Sequence, residues 1–135
     1  MALFSGLGSY KNTGLLLLRV GLGFMMMMHG LPKLTGGMER WEAVGGAMGN
    51  LGITFFPTFW GLMAAIAETI GGFLLIIGLA FRPACLLLAF TMFTAALNHL
   101  ARGDGLMGAS QPIELFAVFI GLLFIGPGKY SVDKK

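Results

Sequence analysis

Charged side chains are scarce in this chain: Asp, Glu, Lys and Arg together make up 11% of its 135 residues. A soluble domain carries about 25%, so too little charge is present to cover a surface facing water. With 56% hydrophobic residues and a mean hydropathy of +0.83, the scarcity points to a single integral membrane domain, 1–135, whose first partner is the lipid bilayer. Cysteine is nearly absent. Cys85 stands alone, which excludes an internal disulfide, a C-x-x-C redox pair and a cysteine metal cage, and it reads as a small packed apolar residue. The net charge of +3 comes from a few Lys and Arg in loops and tails, with no basic patch interleaved with aromatics, and this excludes a nucleic-acid partner. Two histidines, at positions 29 and 99, give no ligand spacing for a metal site.

What the chain has instead is long apolar runs. A spanning helix needs about 17–25 residues, and four segments qualify or come close: 13–31, 57–81, 83–100 and 110–126. The last is the weakest, because its charge-free part begins only after Glu114. The run after Lys11 continues to His29 without a small-x-small cleavage site, so it reads as a retained first helix. The expected fold is therefore all-α: a four-helix membrane bundle with a short interfacial helix in the first loop. In that loop Met38, Trp41, Val44, Met48 and Leu51 recur at helical spacing, as a lid over the bundle or as a connector resting on the headgroups. With four spans both termini share one side, which collects Lys11, Arg82, Lys129, Lys134 and Lys135 against Lys33, Arg40 and Arg102 on the other. The bias places both termini in the cytoplasm.

Each helix carries one small or polar face. Arg19, Gly23, Met26, Gly30 and Lys33 share a face of the first; Gly61, Ala64, Glu68, Gly71 and Gly72 share one of the second. Thr91, Thr94 and Asn98 mark the third, and Glu114, Ala117 and Gly121 the fourth. Small residues let membrane helices approach closely. Glu68 is the sharpest feature, since a carboxylate in mid-membrane costs about 2.5 kcal/mol or more and needs a partner or a task. If His29 and Phe59 mark one boundary, Arg19 and Glu68 lie roughly 15 and 14 Å below it, which predicts an Arg19–Glu68 ion pair.

A second polar cluster, His29, Lys33, Asn98, His99, Arg102, Asp104 and Glu114, falls near the helix ends on the first-loop side. Glu68, Arg19, His99 and Glu114 are the catalytic candidates. Arg19, Lys33, Glu68, His29 and His99 are the candidates for binding a cofactor. One reading is quinone chemistry, with His99 and Glu114 relaying protons and Arg19 or Lys33 holding a carbonyl oxygen. His29 and His99 as axial haem ligands is a weaker reading, with no further haem-site feature to support it.

The succession Leu18, Arg19, Gly21, His29, Gly30, Pro32, Lys33, then Glu68, Gly71, Gly72, Gly78, then Glu114, closing on Gly126, Pro127, Gly128, Lys129, Tyr130, Ser131, Val132 and Asp133, resembles the DoxX family of small membrane proteins. The resemblance runs from about Gly14 to Asp133. It implies a four-helix protein of the bacterial or archaeal inner membrane. It also implies a direction for function: some relatives are subunits of a thiosulfate:quinone oxidoreductase, and others are associated with oxidative stress or aromatic compounds. The expected function is a redox-linked subunit binding quinone or another small lipophilic molecule within the bundle. The alternatives are a non-enzymatic membrane partner, alone or as a homo-oligomer, that docks another enzyme, and a small-molecule carrier.

Overall fold

The computed structural model describes residues 2–134. A short 3-10 turn, Ser5–Tyr10, leads into α1 (Lys11–Thr35). The first loop holds α2 (Gly37–Gly45) and a second 3-10 turn, Gly46–Leu51, before α3 (Pro57–Ile77) and α4 (Phe81–Ala101). One turn of helix, α5 (Gly105–Gly108), precedes α6 (Ser110–Ile125). α1, α3 and α4 are long and apolar enough to cross a membrane. α6 is apolar but has 16 residues, about 24 Å of rise against a hydrocarbon core of about 30 Å. The chain is thus an all-α, multi-pass membrane bundle, and the helix expected to be weakest is the short one.

The helices pack as sequential neighbours, α1 on α3, α3 on α4 and α4 on α6, with α2 laid against α3. α1 and α3 run antiparallel and meet backbone to backbone, since a methyl group added to Gly72 would lie 2.6 Å from the Gly23 carbonyl oxygen. Arg19, Gly23, Met26 and Gly30, the polar and small face read from the sequence, are the four buried residues of α1. α3 begins at Pro57, whose fixed φ suits the first helical position, and stops at Gly78 in the left-handed region. There the Gly78 and Leu79 N–H groups close on the Leu75 and Leu74 carbonyls, so the helix ends before the expected residue 81. The main core gathers Met26, Leu75, Phe81, Cys85, Leu88, Met92, Phe119 and Leu122, with Cys85 fully buried as expected.

The expected burial of the α6 face does not occur. Glu114 and Ala117 are exposed, because α6 turns Pro112, Phe119 and Leu122 inward against α4 instead. Among the described residues α1 and α6 make no backbone-level contact and flank a cleft. The loop helix α2 exists where expected, and it packs on α3 rather than resting free. Trp41 Nε1 donates to the Lys33 carbonyl at 2.9 Å, and the Trp41 backbone lies against Gly61, where a side chain would collide.

Candidate functional site

α3 and α4 touch where Gly71 meets Leu88, and towards the α2 side they part. The space between them is a cavity of about 380 Å³, within the usual range for a small-molecule site. α2 and the turn after it supply Val44 and Met48, α3 supplies Trp60, Met63, Ala64 and Ala67, and α4 supplies Leu87, Phe90, Thr91, Thr94 and Asn98. Lys33 and Glu68 lie on one wall, and His99 and Arg102 at the α2 side. Met63, Leu87 and Phe90 are also exposed at the molecular surface, so this wall of the cavity borders lipid.

The Glu68 carboxylate is 2% exposed, and its two oxygens accept from Lys33 Nζ at 2.8 and 3.0 Å. Lys33 is 25% exposed, so the pair has a buried acid and a half-buried base. The predicted Arg19–Glu68 pair is not formed. With Gly23 opposite Gly72, Arg19 lies four residues to one side and Glu68 four to the other, an axial separation of about 12 Å. The level markers were at fault, because α1 continues past His29 and through Pro32 to Thr35. Side chains on a helix lean towards its N-terminus, so Lys33 leans down to Glu68 while Arg19 leans away from it.

Arg19 has another task. Its guanidinium is 1% exposed and donates to the carbonyls of Leu75 at 3.0 Å, Ile76 at 2.8 Å, Pro127 at 3.0 Å and Tyr130 at 3.0 Å. A cation at the C-terminal end of α3 also meets the negative end of its dipole. Arg19 therefore ties α3 to the tail and lies outside the cavity.

At the α2 side, Asp104 Oδ2 lies 2.8 Å from His99 Nδ1 and 3.1 Å from Arg102 Nη2. The hydrogen bond from His99, followed by Arg102, holds the Asp104 carboxyl below its ordinary range. The contact therefore survives as the pH falls through the usual carboxylate range and is lost only further down. His99 Nδ1 thus faces both the Asp104 carboxylate and, at 3.2 Å, Arg102 Nη2, and Nε2 is left without a partner among the described residues.

The polar cluster read from the sequence is thus split in two. Lys33, Asn98, His99 and Arg102 line the first cavity, with Asp104 bonded to His99. His29 and Glu114 line the cleft of about 360 Å³ between α1 and α6. The expected His99–Glu114 relay is not assembled, and His29 and His99 face different spaces, which removes the geometry for shared haem ligation. What sequence reasoning missed is the apolar wall of Met63, Leu87 and Phe90, because exposed and cavity-lining residues follow the same helical periodicity.

The fold and cavity define a class: a small helical membrane protein with an ion pair beside an apolar, lipid-bordered pocket. The DoxX family profile matches residues 14–100, and the chain belongs to the DoxX family. It is 24% identical over 136 residues to the inner membrane protein YphA of Escherichia coli (strain K12), covering 95% of this chain and 94% of YphA. It is 37% identical over 122 residues to CatD of Bacillus subtilis (strain 168), named a putative oxidoreductase, covering 90% of this chain and 86% of CatD. No solved structure matches.

Proposed function

We propose that this protein is a redox-linked membrane subunit that holds a quinone, or a similar flat lipophilic molecule, in the α3–α4 cavity. The observation that carries the reading is the Lys33–Glu68 ion pair, set in a mainly apolar cavity bordering lipid at Met63, Leu87 and Phe90. A lipophilic ring can enter from the bilayer without crossing water. In this reading the Lys33 ammonium donates to a ring oxygen, and Glu68 keeps the ammonium in place and serves as the nearby proton acceptor. His99, oriented by Asp104, exchanges protons with water at the far end of the same cavity. When bound, the quinone would supply the two-electron chemistry; the protein supplies position, polarity and protons.

The name of CatD supports a redox role, and that of YphA supports placement in an inner membrane. With both termini cytoplasmic, as the Lys and Arg bias suggests, the His99 end of the cavity opens outward from the cell. Titration of the nanodisc-embedded protein with a short-chain quinone, followed by tryptophan fluorescence, tests the site through Trp60. Glu68→Gln and Lys33→Met are expected to weaken binding by about tenfold or more, the scale of a charge-assisted contact. Unchanged binding in both folded variants would remove the proposal.

A further inference from the structure

His29 and Glu114 have no part in that cavity. With Gln111, Leu22, Met25 and Leu115 they line the cleft between α1 and α6. His29, Gln111 and Glu114 are exposed, and among the described residues none of them has a hydrogen-bond or ion-pair partner. Glu114 sits about 6 Å inside the start of α6, on the side turned away from the α4 contact. An unpaired carboxylate facing hydrocarbon is costly enough that it calls for a partner from outside the chain.

We propose that the α1–α6 edge is covered by the same edge of a second copy, with a two-fold axis along the membrane normal. His29 of each copy then pairs with Glu114 of the other. Such an axis preserves depth; His29 is the cleft residue of α1 nearest the α2 side, and Glu114 lies about one turn into α6 from that same side. The edge carries a base and an acid side by side, which makes it self-complementary under two-fold rotation; no foreign chain of opposite charge is needed. The glycines add an independent reason. Gly14 and Gly21 on α1 and Gly121 on α6 lie on the two helices that border the cleft, outside its lining, and a Cβ on any of them would meet open space. Gly23 and Gly72, by contrast, are explained by the contact they make with each other. Glycines that serve no contact within the chain, on a face turned to lipid, permit close approach of another helix.

The test uses the full chain in native membranes on a Cys85→Ala background. Under mild oxidation Met25→Cys, at the cleft, is expected to form a disulfide-linked dimer, and Leu86→Cys, on the exposed side of α4, is not. In vesicles, His29→Glu or Glu114→His alone is expected to raise the dimer dissociation constant by about tenfold or more, since two symmetric intramembrane pairs are lost. The exchange of both residues is expected to restore the dimer. Gly121→Leu, at a position where a Cβ meets open space within the single chain, is expected to give a folded monomer. Equal cross-linking at both cysteines, no rescue by the double exchange, or an unsubstituted chain that is a folded monomer carrying a lipid in the cleft would each overturn the proposal.

Discussion

Two basic residues on one helix face do different work because their side chains meet different surroundings. Lys33 neutralises a buried carboxylate, whereas Arg19 saturates backbone carbonyls at a helix end. Breaking the first pair leaves a charge in a dry site. Lys33→Met is therefore expected to cost about 3–5 kcal/mol in stability, and Lys33→Met with Glu68→Met to recover most of it. Thermal unfolding in detergent reads both, and a stable single variant would show that Glu68 is better solvated than its 2% exposure implies. Arg19 is not replaceable by lysine, since a single ammonium cannot reach all four carbonyls. Arg19→Lys should lower stability nearly as much as Arg19→Met, about 3 kcal/mol or more, while leaving quinone affinity of the folded fraction unchanged. That contrast separates the structural cation from the one to which the proposed function assigns ligand binding.

The elements are positioned by close backbone approach on one side and by the tail on the other. Gly23 against Gly72 sets the register of α1 on α3, and through it the meeting of Lys33 with Glu68. Gly72→Ala should force the helices apart and cost about 1–3 kcal/mol, whereas Gly14→Ala, facing open space, should change the monomer's stability by less than about 0.5 kcal/mol. The tail then joins α3 to α4. The Val132 and Asp133 N–H groups donate to Ile77 and Gly78, and the Asp133 carboxylate accepts from the Ala80 and Phe81 N–H groups at the start of α4. Asp133→Ala removes that cap and should cost about 1 kcal/mol, measured as a shift in the unfolding midpoint.

Across the whole molecule, α6 returns the chain to the side where α1 begins, since the Lys129 N–H donates to Asn12 Oδ1 at 3.0 Å. The loop helix α2 lies at the opposite end. Cysteines at Lys134 and Glu39, each on a Cys85→Ala background, should be labelled from opposite faces of sealed vesicles by a membrane-impermeant thiol reagent. Labelling of both from one face would break the antiparallel arrangement. A cytoplasmic location for position 134 would support the orientation used in the proposed function.

The sequence by itself determined that the chain lives in a bilayer, where its helices run to within a few residues, and which face of α1 turns inward. These properties follow from composition and periodicity, which are local. It also singled out Glu68, because a carboxylate inside an apolar run is expensive whatever surrounds it. Pairing was a different matter. Which cation meets Glu68 depends on how far α1 slides along α3, and that register comes from the contact of two glycines that carry no side-chain signal. The division of the polar cluster between two clefts likewise depends on the rotation of α6 about its axis. Four carbonyls gathered from residues 75, 76, 127 and 130 became the site of Arg19 only once the chain had closed on itself. Backbone acceptors look the same at every position of a sequence, so only the tertiary structure could show which of them would be brought together.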